Sequence, residues 1–248
     1  MHYFRLIFFI VQFVLLAGCQ RFYQPQNLRY GGYSVVSGDS KPDGIQQLVK
    51  PYADSVEAVM SDTLGLLNVT LEKKLPDGSL GNFLADAYLE MARVKWNSKA
   101  AIAYMNHGGI RVNSIAAGPV KRSTVYEVMP FDNEMILIEV TGSLLKDFLD
   151  GVAKDGGGGV AGMSFVIKDK QATNILVGGK PLQPGEKYLM VNSDYVVNGG
   201  GGFNGFKSLA RTRTGYLLRD AILDYVAMYK QKGLPLPVNT DKRIRSEK

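Results

Sequence analysis

Cysteine and histidine are almost absent from this sequence: Cys19 is the one thiol, and His2 and His107 are the two imidazoles, among 248 residues. A single cysteine excludes a disulfide framework, CxxC redox chemistry and a thiolate metal site within the chain. The apolar run at 6–16 is about eleven residues, well short of the ~20 that a helix needs to cross a bilayer. Two glycine runs are present, but neither is followed by GK[ST] and neither fits the strand–GxGxxG–helix pattern, so no Walker or dinucleotide fingerprint is present. No GxSxG elbow marks a serine nucleophile. No basic helix is interleaved with aromatics, so nucleic acid is not expected as a partner. Much of the formal charge of +6 instead sits near the ends, in Arg21, Arg29, Lys242, Arg243, Arg245 and Lys248, and reads as solvated terminal charge.

What is present begins with targeting. Arg5 precedes the apolar run, and small residues lead into Cys19 within LAGC. This pattern predicts a secretory signal over residues 1–18 ending at a segment that resembles a bacterial lipobox, with Cys19 as the lipidation site. Two acyl chains suffice for stable anchoring. The expected location is therefore outside the cytoplasm, on a bacterial membrane facing the periplasm or the cell surface. Residues 19–42, with Pro25, Gly31, Gly32, Gly38 and Pro42, read as the anchor and its tether. Loss of the signal removes His2 and leaves His107 alone. A two-metal hydrolytic centre draws on several His, Asp and Asn ligands, so no metal or other cofactor is expected in this chain.

Residues 43–248 are expected to form one domain. Ile45, Leu48, Val49, Tyr52, Val56, Val59 and Met60 recur at helical spacing from Asp43. A strand is expected over 63–71, a PDGS turn, and a helix over 81–96. The short apolar run AAIAYM at 100–105 predicts a strand covered on both faces. Thr124 with Glu127 suggests a capped short helix ending at Pro130, followed by a strand at 134–140 and a helix capped by Thr141. Asp147 and Asp150 on that helix read as a solvated face. MSFVIK, NILVGGKPL and KYLMVNSDY predict strands with a Gly-Gly hairpin, and a last helix is expected over 214–232, stopped by Gly233 and Pro235. Helices and strands mixed in this way predict an α+β fold of packed layers.

The loops NHGGIR, MPFDNE and SDYVVNGGGGF carry the chemistry. Asn106 offers amide hydrogen bonds, Gly108 and Gly109 let backbone approach a ligand, and Arg111 presents a fork suited to phosphate or carboxylate. Phe131 and Tyr195, taken singly, read equally well as core aromatics.

Taken in order, GNFLADAYLE, NHGGIR, VYEVMPFDN and SDYVVNGGGGF resemble the C-terminal domain of the 5'-nucleotidase family over roughly residues 43–232. The resemblance implies a substrate-recognition domain. Arg111 would grip the phosphate and Asn106 would face the same region. Phe131 and Tyr195 would sandwich the base, Asn133 would contact it, and a glycine near Gly162 would lie beside it. Two departures accompany the match: Gly201 stands where the family places a ribose-binding aspartate, and Pro76, with Lys73 and Lys74 nearby, stands where it places a phosphate-binding arginine. In the family a separate metallophosphoesterase domain carries the divalent metals and the catalytic residues. The implied role is therefore nucleotide recognition in nucleotide catabolism, with a metallophosphoesterase polypeptide as partner and a nucleotide or related small phosphorylated compound as ligand. The alternatives are a stand-alone ligand-binding lipoprotein and a structural or interaction subunit.

Overall fold

The computed structural model describes residues 43–247. The expected signal, Cys19 and the expected tether lie outside the described residues. The chain divides into two compact units, residues 1–48 and 49–248; only the opening of one helix is described in the first, and every other described element belongs to the second.

That helix, α1 (Asp43–Met60), forms where the apolar spacing puts it. Val49, Tyr52, Val56 and Val59 on it are nevertheless exposed, so the periodicity marks a helix without marking a core. The strand expected over 63–71 is interrupted and gives β1 (Thr63–Leu67) and β2 (Leu71–Glu72). Helix α2 (Ser79–Lys95) buries Leu80, Leu84, Tyr88 and Met91, which recur every three or four residues along one face. Next comes β3 (Ile102–Met105), buried at every position as expected, followed by a single 3₁₀ turn at His107–Gly109.

β4 (Ser114–Ile115) and β5 (Gly118–Lys121) return to pair with β2 and β1. Helix α3 (Arg122–Val128) starts directly after Lys121, not at Thr124. The ladder between β1 and β5 runs through Lys121, opposite Thr63, so the backbone turns helical there and no side chain caps it. β6 (Glu134–Thr141) leads into α4 (Gly142–Lys154), and Thr141 Oγ1 accepts the Leu144 N–H at 3.3 Å as the expected cap.

β7 (Gly159–Ala161), β8 (Met163–Lys168), β9 (Gln171–Val177) and β10 (Lys180–Pro181) follow. Gly178 and Gly179 turn the hairpin with φ of 56° and 78°, the left-handed values that a two-residue primed turn requires. β11 (Lys187–Ser193) then precedes the short helix α5 (Asp194–Val197).

Two expectations fail near the C-terminus. Residues 211–217 form β12 (Arg211–Leu217), and α6 spans Leu218–Gln231, so the helix expected from Thr214 starts later. Thr212 and Thr214 are β-branched and suit a strand, and Gly215, at φ 65°, lies where the register against β6 shifts. The basic tail is also not simply solvated. β13 (Ile244–Ser246) pairs in parallel with β8, and Arg243 forms two 2.8 Å bonds to the Asp86 carboxylate.

A five-stranded sheet, ordered β12-β6-β11-β3-β7, divides the domain. Side chains alternate across it. Met135, Leu137, Ala103, Met105 and Val191 join the core under α2 and α6, whereas Ile136, Ile138, Ile102, Tyr104 and Met190 join the core under α4, β8 and β9. Each fully buried Leu, Ile or Met in these cores contributes about 1.5–3 kcal/mol. The result is the mixed α+β layering that the sequence predicts.

Candidate functional site

Sheet topology brings the chemistry-bearing loops to one edge. β3 and β11 run parallel, with Ala103 opposite Val191, so NHGGIR and α5 leave the sheet on the same side. β6 is antiparallel to β11, pairing Met135 with Ser193, and therefore enters from that side through MPFDN. β7 is antiparallel to β3, pairing Gly159 with Met105, and brings the glycine run 156–158 to the same place.

Asn106, Gly108, Gly109, Arg111, Phe131, Asn133 and Tyr195 line one cleft of about 280 Å³ at this edge. Phe131 is 41% and Tyr195 50% exposed; the core-aromatic reading of both is thereby removed. The Arg111 guanidinium stands 5.6 Å from the Phe131 ring centroid, a cation–π distance. Gly162 is not with the others. It follows β7 at φ 71°, a Cβ on it would meet Ala101 O at 2.0 Å, and it lines a separate depression with Ser164 and Leu176. Gly157, in the preceding run, lines the cavity that Tyr195 also borders.

The cleft is held by residues that the sequence alone does not single out. One oxygen of Asp194 accepts from the Tyr195 N–H at 2.8 Å and from the Glu134 N–H at 3.2 Å. The carboxylate thus ties the Tyr195 helix to the end of the loop that bears Phe131 and Asn133. Arg219, from α6, donates to the carbonyls of Pro130 and Phe131 at 3.2 and 3.4 Å and to Asp132 at 2.5 Å. Its guanidinium also lies 4.5 Å from the Tyr126 ring. Ser193 caps α5 by accepting the Val196 N–H at 3.1 Å. The signal for Ser193 and Asp194 is local, a Ser-Asp pair opening a helix; nothing near Arg219 in sequence points to a loop some ninety residues away.

The Gly81-Asn82 pair serves the same edge structurally. Gly159 lies so close to Gly81 that a Cβ on it would come within 2.2 Å of Gly81 O, and buried Asn82 accepts the Val160 N–H at 3.1 Å. This contact fixes the glycine run to the start of α2. Gly200 likewise packs on Tyr195, since a Cβ there would sit 2.4 Å from its ring.

Charge at the cleft is positive. Lys73 donates to Ile110 O at 2.9 Å, on the loop that carries Arg111, whereas Lys74 lines a different depression with Asp77. Lys73 is therefore the lysine placed beside that loop. Burial, and then the Lys73 charge, lower the His107 pKa below its ordinary value. Among the described residues no cluster of three or more His, Cys, Asp or Glu is arranged to hold a metal ion. Beyond Tyr195 lies a second cavity of about 560 Å³, which shares Asn106, Gly108 and Tyr195 with the cleft and is bordered by Gly200, Gly201 and Gly202.

Residues 58–208 match the family profile described as 5'-nucleotidase, C-terminal domain. Protein UshA of Escherichia coli is 27% identical over 203 residues, which cover 77% of this chain and 35% of that protein. A 5'-nucleotidase of Vibrio parahaemolyticus is 30% identical over 167 residues, covering 65% of this chain and 28% of its own length. The crystal structure of a 5'-nucleotidase precursor from Thermus thermophilus superposes with a TM-score of 0.70 at 26% identity, over 82% of this chain and 43% of that one. The chain thus spans about a third of the length of the curated relatives it matches.

Proposed function

Because the chain belongs to the 5'-nucleotidase C-terminal domain family, we propose that it recognises a nucleoside monophosphate in nucleotide catabolism, as the substrate-binding half of a 5'-nucleotidase. The observation that carries this reading is the convergence of Asn106, Arg111, Phe131, Asn133 and Tyr195 on one cleft. A base entering between Phe131 and Tyr195 would stack, a contribution of about 1–3 kcal/mol that tolerates base identity. Asn133 would meet its edge. Arg111 would hold the phosphate as a bidentate fork, with Lys73 adding positive charge beside the same loop.

The hydrolytic step belongs, in this proposal, to a metallophosphoesterase partner that brings the divalent metals and the attacking water. Lipidation at Cys19 would hold the chain on a bacterial membrane, and a partner anchored there would meet it at raised effective concentration. Gly201, where the family resemblance expects a ribose-binding aspartate, favours a second reading, a binding lipoprotein without turnover.

The test is to reconstitute the full chain in vesicles with a metallophosphoesterase domain and to follow phosphate release from adenosine monophosphate (AMP). Release above that of the domain alone supports the proposal. AMP binding without any gain supports the second reading. Absence of both binding and gain contradicts both.

A further inference from the structure

We propose that the apolar face of α1 is a self-association surface, which pairs in parallel with the same face of a second copy of this chain. Val49, Tyr52, Val56 and Val59 are 51–73% exposed, although three of them are valines, a residue type that folding ordinarily buries. At the helical repeat they fall within roughly 80° of the helix circumference and form one stripe. An exposed apolar stripe of this kind marks an interaction surface. The end of the helix is built into the domain: the backbone carbonyl of Asp62, two residues beyond α1, accepts the Arg122 N–H at 2.9 Å. α1 is thus tied down at its end, while the stripe has no cover among the described residues.

The spacing identifies the occupant. Steps of three, four and three residues place Val49 and Val56 at the a positions of a heptad and Tyr52 and Val59 at d, and Ile45 continues the pattern four residues earlier. β-Branched residues at a favour two parallel strands. The e and g positions of two such helices face one another across the seam, so like charges there would repel. Here those positions hold Ala53, Ser55 and Met60, with Gln46 and Leu48 before them, and none is charged. Lys50, Asp54 and Glu57 all lie on the far face, where Lys50 and Asp54 pair at 2.7 Å. Two identical helices therefore meet without a like-charge contact.

A bilayer fits this face less well. Helices that lie on anionic lipid carry Lys and Arg on the polar side, whereas between Val49 and Met60 the carboxylates of Asp54 and Glu57 outnumber the one ammonium of Lys50. Such a face is repelled by a negative surface. The seam is also short, with four apolar layers from Val49 onward. Short helices are marginal by themselves, so the dimer is expected to dissociate on dilution.

The experiment is sedimentation velocity of the full chain in neutral detergent, with micelles in large excess over chains, across a wide range of protein concentration. Monomer is expected to give way to dimer as concentration rises. Val56→Asp, which puts an unpaired carboxylate into the seam, should raise the dissociation constant by roughly tenfold or more. Glu57→Ala, on the far face, should leave it unchanged. Val56 is exposed in the single chain, so the melting temperature at low concentration should match the parent's in both variants, which separates lost pairing from lost folding. Val56→Cys should cross-link across the seam on oxidation and Glu57→Cys should not, with the parent chain as the control for Cys19. A chain that sediments as a monomer throughout, a dimer that Val56→Asp leaves intact, or equal cross-linking at the two positions overturns the proposal. So does a monomer whose stripe instead binds phosphatidylglycerol vesicles or a metallophosphoesterase domain, with that binding lost in Val56→Asp.

Discussion

The cleft and the cavity share a wall, yet they are built from opposite materials. The cleft is made of long side chains on loops, with Arg111, Phe131, Asn133 and Tyr195 beside the contacts of Asp194 and Arg219. The cavity is made by their absence, since glycines at 157 and 200–202 leave room over a packed aromatic floor. The difference teaches that the shape of one region depends on clamps that position side chains, and that of the other on backbone that stays bare. Substitutions should therefore separate the two.

The largest effect is expected from Arg111→Ala. Loss of a charge-assisted hydrogen bond is worth about 1.5–3 kcal/mol, so AMP should bind roughly ten- to a hundredfold more weakly by calorimetry, while adenosine binding stays unchanged. If adenosine weakens equally, Arg111 shapes the cleft and does not read the phosphate. Tyr195→Ala comes next, weakening AMP and adenosine together by about tenfold through lost stacking.

Asp194→Ala tests the clamp. It removes the acceptor of the Tyr195 and Glu134 amides, and a several-fold loss of both AMP and adenosine is expected, with a lower melting temperature. Gly201→Asp probes the opposite logic by placing a carboxylate on the bare border. It should create a several-fold preference for adenosine over its 2'-deoxy form, measured by competition.

Acid pH should have the smallest effect. Glu134 is held below its ordinary pKa, first by hydrogen bonds from Arg213 and then by the Gly215 N–H. Its folded value is lower than its unfolded one, so this stability is complete above the usual glutamate range, near pH ~4.3, and is lost as pH falls through the folded value. Arg213 is 74% exposed, so solvent screens the pair. Glu134→Gln should flatten the acid limb of the melting curve only slightly.

The fold is largely legible in the sequence because both faces of the central sheet are buried. Continuous apolar runs at β3 and β6 announce this, as does the local chemistry of the Thr141 cap and the Gly178-Gly179 turn. β12 is concealed because Tyr216 and Leu217 continue smoothly into the apolar spacing of α6, and what makes the segment a strand is the β6 ladder, a long-range partner. The docked tail is hidden for the same reason, since the partner of Arg243 is Asp86 on α2. Within the site, the residues on the loops NHGGIR, MPFDNE and SDYVVNGGGGF converge, whereas Gly162 falls outside because the length of β7 separates it from the glycine run. Arg219 and Asp194 act through contacts that only the folded chain creates.

The central claim, that this chain alone carries a nucleoside monophosphate cleft, is tested most directly by a crystal structure of the full chain with AMP. The base is predicted to lie between Phe131 and Tyr195 with its edge at Asn133, and the phosphate within hydrogen-bond distance of Arg111. A base lodged against Phe148 with its phosphate turned toward Lys154, or AMP bound away from both spaces, would contradict it.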